Sequence, residues 1–158
     1  LPQNCRINFY KSYILPLFTY GFPAWSTINK THIGKLEVLH RRILRIIFRT
    51  DRYTSNLDLY AAASTTTLQH YLDASKCTLA HSIFLDQHPA HLQSLNWFNS
   101  GGTTRSCVRL PLARSTLFVN SPFFSSYSTW LQLPPSVRQA PDMPKFRTLV
   151  RQHFSISQ

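Results

Sequence analysis

THIGKLEVLHRRILRIIFR, residues 31–49, is the stretch that decides the architecture. Apolar side chains recur at Ile33, Leu36, Leu39, Ile43 and Ile47, the three-and-four spacing of one helix face, and Leu44, Ile46 and Phe48 widen the stripe. Thr31 stands where its hydroxyl can accept from an unpaired N–H of the first turn, so it is read as the N-cap. On the polar side Arg41, Arg45 and Arg49 follow one another at intervals of four, with Lys35 and Arg42 close by. Four residues rise about 6 Å along a helix and the phosphates of one strand advance about 3.4 Å along a duplex axis, so such a row would meet roughly every second phosphate. Lys35, Arg41, Arg42, Arg45 and Arg49 are therefore the candidate nucleic-acid-binding residues. A plainer role for the same arginines is to keep an amphipathic helix in solution while their stems cover apolar surface.

Toward the N-terminus, Ile7, Tyr10, Ile14, Leu17 and Phe18 predict a helix over residues 4–20, with a kink or break near Leu15 because Pro16 removes a donor and crowds the preceding turn. Gly21 and Pro23 end it and leave Trp25 to pack in a bend. Toward the C-terminus, Asn56 is read as the cap of a short helix through Ala63, and a longer helix is predicted over 67–87 with Leu68, Leu72, Leu79 and Ile83 inward. The Gly, Ser and Thr of 99–107 read as a linker, and 108–119 as one or two short extended pieces. Ser121 or Pro122 opens a helix through Trp130, Pro134 and Pro135 break it, and residues 143–154 form a last helix with Pro144 in its first turn. The expectation is a mainly α chain: a small helical bundle over 1–98, the linker at 99–107, and a loop-rich region over 108–158 with short helices, the last at the C-terminus.

Charge is distributed unevenly. Of a formal net charge of +11 over 158 residues, residues 30–52 hold seven basic against two acidic side chains, 53–100 hold one against three, and 101–158 hold seven against one. Two basic blocks around a mildly acidic middle point to a polyanionic partner, nucleic acid before an anionic membrane surface. No membrane span is expected, since the longest uncharged N-terminal stretch is interrupted by Pro16, Gly21 and Pro23. Cys5, Cys77 and Cys107 are too far apart for a zinc knuckle and fit reduced thiols inside a cell; His88 and His91 are read as loop residues, and no metal ligand is assigned. Six acidic residues are scattered, and no phosphate-binding, nucleophile or metalloprotease motif is present. No catalytic residue and no cofactor are assigned. A free-standing enzyme with a histidine base would have to use His40, His70 or His81. The chain begins at Leu1 and its one methionine is Met143, so it is expected to belong to a longer reading frame.

Three stretches in order resemble one family. FYKSYILPLFTYGFPAW (9–25), KLEVLHRRILRIIFRTDRYTSNLDLY (35–60) and FFSSYSTWLQLPPSVRQAPDMPKFRTLVRQHF (123–154) are similar to the segments that follow the palm in reverse transcriptases of non-LTR retrotransposons, the jockey and CR1-like elements. The resemblance implies a thumb-like helical domain and C-terminal tail that hold an RNA and DNA template-primer, alongside the remainder of the polymerase chain. Polymerase aspartates with their magnesium and an endonuclease would belong to other parts of the parent, and the place of action would be intracellular, in the nucleus when target DNA is copied into. Two alternatives stand beside it: an interaction module docking the basic helix on an acidic partner or on the rest of the polymerase, and a decayed transposon fragment.

Overall fold

The computed structural model describes residues 2–21, 30–86 and 115–155, and among them every regular element is helical. The chain is mainly α, as its periodicity predicts. The first element does not break at its proline. Helix α1 (Gln3–Phe9) runs into a π-helical segment (Tyr10–Ile14) and on into α2 (Leu15–Thr19), with the Leu15 N–H reaching back five residues to the Tyr10 carbonyl. A wide turn just before a proline relieves its clash with the preceding turn, and Pro16 then lies in the first turn of α2, where no N–H is needed.

Helix α3 (Lys30–Phe48) already includes Lys30, a good helix former, so Thr31 lies inside the first turn and is not its cap. Ser55, not Asn56, caps α4 (Asn56–Ala62): its Oγ accepts from the Leu57 N–H at 3.2 Å, while the Asn56 side chain is engaged by Arg45. Helix α5 (Leu68–Asp86) starts as predicted, with the Thr67 hydroxyl accepting from the His70 N–H at 3.4 Å. Four helices then occupy residues 115–155. Where extended backbone was expected, Ser115 caps the single turn α6 (Thr116–Val119) by accepting from the Phe118 N–H. Ser121 caps α7 (Pro122–Leu131), Pro135 opens α8 (Pro135–Arg138), and α9 (Met143–His153) follows. Trp25, the expected linker at 99–107 and residues 108–114 lie outside the described residues.

The chain divides into two compact units, Leu1–Leu72 with Arg151–Gln158, and Asp73–Val150. In the first, Tyr10, Leu44, Ile47, Leu59 and Ala63 form the core, with Ile7, Leu15, Ile43 and Phe48 packed around it. A polar network runs through this core. His40 is 0% exposed; its Nε2 is hydrogen-bonded to the Tyr10 hydroxyl and its ring lies against Tyr10, Phe18 and Tyr60. Its Nδ1 stands 4.0 Å from Glu37 Oε1, which also accepts from the Tyr60 hydroxyl, while Glu37 Oε2 accepts from the Leu68 N–H at 2.9 Å. Burial is the largest influence on Glu37 and pushes its pKa up, but His40 and the hydrogen bonds from Tyr60 and Leu68 together outweigh it and hold the carboxyl below the usual range.

In the second unit, Cys77, Ala80, His81 and Ile83 of α5, Tyr127 and Trp130 of α7, Leu133, and Phe146 and Val150 of α9 are buried. The His81 ring stacks on Phe146 at 3.6 Å with an interplanar angle of 10°. Burial pushes the Cys77 thiol up to about 12.

The Glu37 network generates a stability prediction. Glu37→Ala removes the acceptor for the Tyr60 hydroxyl and the Leu68 N–H and should cost about 2–4 kcal/mol in urea denaturation. Because the Glu37 pKa is lower in the folded chain than unfolded, its contribution is complete above the ordinary carboxylate value and is lost as pH falls through the folded one. Urea midpoints taken stepwise below about pH 4.5 should therefore decline more steeply for the wild type than for Glu37→Gln.

Candidate nucleic-acid interface

The five cations read from the sequence separate into three groups. Helical residues advance about 100° each, so Lys35 and Arg42, seven apart, lie on nearly one line of α3 and about 10 Å from each other along its axis. Both are exposed. Arg41 and Arg45 fall on the opposite edge and are partly buried. The charge of Arg41 acts on the Tyr60 hydroxyl. Arg45 braces the following loop, its Nη2 donating to Asn56 Oδ1 at 3.0 Å and to the Thr54 carbonyl at 3.4 Å. Arg49 is outside the helix altogether.

Backbone geometry explains the last placement. Arg49 has a φ of 54°, its N–H points to the Ile46 carbonyl, and the next N–H, of Thr50, reaches the Arg45 carbonyl at 3.1 Å. This is the Schellman ending of a helix, in which a left-handed residue lets the chain satisfy the last carbonyls. Glycine ordinarily supplies that residue, and here an arginine does. The regular row of Arg41, Arg45 and Arg49 is therefore not formed: the helix stops at Phe48, and Arg49 projects from the turn beyond it.

Two further residues, Arg52 and Tyr53, join this end of α3. The Arg52 guanidinium carbon lies 4.9 Å from the centroid of the Tyr53 ring, and Arg52 Nη2 donates to the Tyr53 hydroxyl at 2.7 Å. Tyr53 is 77% exposed. The pair's signal in the sequence is a basic residue directly beside an aromatic one, the combination that permits stacking on a base. The loop also holds Asp51, whose Oδ1 accepts from the Arg52 N–H at 2.5 Å. On α9, Lys145, Arg147 and Arg151 are exposed, and that helix contains no acidic residue.

This arrangement offers charge rather than acid-base chemistry. Tyr10, Tyr60, Tyr71 and Tyr127 are all raised above the ordinary phenol value, first of all by burial, and so stay neutral. His40 belongs to the core network, His81 to the stack on Phe146, and His70 Nδ1 is hydrogen-bonded to the Thr66 hydroxyl at 2.6 Å. Among the described residues no three of His, Cys, Asp and Glu gather as a metal-binding set, and no helix is long and apolar enough to cross a membrane.

Fifty-nine residues, 37% of this chain, are 30% identical to the RNA-directed DNA polymerase from mobile element jockey of Drosophila melanogaster, and they cover 6% of that protein's length. No family model and no solved structure matches the chain. Over that stretch, then, the chain is similar to a small part of a retrotransposon polymerase.

The left-handed turn is open to test. Arg49→Gly relieves a backbone conformation that side chains disfavour and should stabilise the chain by about 0.5–1 kcal/mol, read as a higher urea midpoint at unchanged slope.

Proposed function

We propose that this chain is a non-catalytic part of a retrotransposon RNA-directed DNA polymerase, corresponding to its thumb and C-terminal region, that holds the template-primer through phosphate contacts without reading sequence. The observation that carries this reading is the similarity of 59 residues to the jockey polymerase. The electrostatics are compatible with it. Lys35, Arg42 and Arg49 are exposed, and the nearest acid in sequence to the first two, Glu37, is turned into the core. These three would touch phosphates directly. Arg41 and Arg45 would add to the positive field from behind, Arg45 while holding the loop that carries Arg52 and Tyr53. Polymerase aspartates, magnesium and the endonuclease would lie elsewhere in the parent polypeptide, and the work would be done at chromosomal target DNA in the nucleus.

The test is salt-dependent binding of a fluorescent RNA/DNA hybrid by the 158-residue chain. Three direct phosphate contacts give a log-log slope of about −2 to −3. Replacing Lys35, Arg42 or Arg49 singly with Gln should weaken binding alike on unrelated sequences and flatten the slope by about 1 each. A salt-independent affinity, or a triple variant that binds as tightly as wild type, would overturn the assignment, as would magnesium-dependent primer extension by the chain itself.

A further inference from the structure

Between the N-terminal helical segment and α3 lies a groove of about 630 Å³, lined by Ile14, Leu17, Phe18, Leu36, Leu39 and Ile43. Its walls stand partly in water: Leu17 is 78% exposed and Leu39 47%. Isolated exposed leucines need no explanation, but six apolar residues converging on one concavity of this size mark a binding surface. Their spacing indicates the shape of the occupant. One wall presents residues at i, i+3 and i+4, the other at i, i+3 and i+7, the seams along which helices pack against a further helix.

Charge indicates the rest. The two segments that build the groove, residues 3–19 and 30–48, contain seven Lys and Arg and a single acidic residue, Glu37. That carboxylate is turned away into the core, where it accepts from Tyr60 and Leu68. Lys35 and Arg42 are four residues before and three after Leu39, which makes them its direct neighbours on the helix surface. Both are exposed. The groove thus has an apolar floor and a cationic border. A nucleic acid would engage the border and leave the leucines in water.

We propose that this groove receives the apolar face of a partner helix whose flanks carry Asp and Glu. The inference stands on the first unit alone and does not require the polymerase reading.

A fluorescein-labelled peptide of about sixteen residues, with Leu at i, i+3, i+4 and i+7 and Glu on either side of that stripe, is the probe, titrated against the full chain by anisotropy. A shuffled peptide of the same composition, without the stripe, is its control. The striped peptide should bind and the shuffled one should not. Leu17→Ser and Leu39→Ser should each lower affinity about tenfold, since each removes a leucine buried on binding. Both positions are exposed in the free chain, so circular dichroism should show the fold retained, and because the changes are neutral, affinity for the RNA/DNA hybrid should be unchanged. Lys35→Gln with Arg42→Gln should weaken the peptide and flatten its salt dependence. Equal binding of the shuffled peptide, or undiminished binding by the two Ser variants, would overturn the proposal. So would self-association of the chain abolished by Leu17→Ser, or uptake of phosphatidylserine vesicles in place of the peptide. Loss of hybrid binding with peptide binding intact would refute the polymerase reading alone.

Discussion

The carboxylate of Glu37 is the point at which the first unit is tied together. It projects from α3, accepts from the Tyr60 hydroxyl of α4 and from the first N–H of α5, and lies beside His40, whose other nitrogen meets Tyr10 of the N-terminal segment. One acid thereby sets α3 against three other parts of the chain. A half-buried carboxylate that loses part of its partners keeps an uncompensated share of its desolvation cost, so these contacts support one another. The same constraint shapes the outside. Glu37 is the one acidic residue in the first fifty, and turning it inward leaves the exposed charges of α3 all positive.

That network also explains which face of α3 is buried. Counting hydrophobic residues places Leu36, Leu39 and Ile43 at the centre of the inward stripe, yet the fully covered positions are His40, Leu44 and Ile47. A histidine carries no hydrophobic signal. It becomes a core residue only because Tyr10 and Glu37 supply a hydrogen bond and a neighbouring charge from positions thirty and three residues away, and the rotation leaves the apolar stripe lining a groove. Local signals, by contrast, were legible: the start of α5 and the Ser121 and Pro122 start of α7 follow from residue types that act on their own backbone. Pro16 acts locally too: its single-residue rule predicts a kink or a break near Leu15, and the structure places there the end of a π-helical segment through which the helices run on without a break.

The arginines show how far spacing can be carried. Intervals of four describe a row only while the chain is helical, and the helix ends one residue before Arg49. A glycine at that place would have announced the ending, but an arginine conceals it. Arg45 is in phase, yet two neutral oxygens, the Thr54 carbonyl of the following loop and Asn56 Oδ1 at the start of α4, engage its guanidinium. Its charge still contributes to the field around α3, because hydrogen bonds to a carbonyl and an amide leave it unneutralised. Attraction of a polyanion would therefore draw on more residues than direct contact would.

Lys35 and Arg42 have a further consequence for any binding at this surface. They border the groove through Leu39 and are also, with Lys30, the exposed cations of α3. A phosphate chain and an acid-flanked helix would both place negative oxygens beside these two side chains, and one guanidinium or ammonium cannot be fully desolvated by both. The two occupants would thus be thermodynamically coupled: whatever factor one took from the affinity of the other, the other would take from it in return. Geometry would confine the coupling to the border, since the apolar floor would serve the helix alone and Arg49, beyond the end of α3, would serve the phosphates alone. Salt would separate the two contributions, weakening the phosphate contacts much more than the burial of leucine.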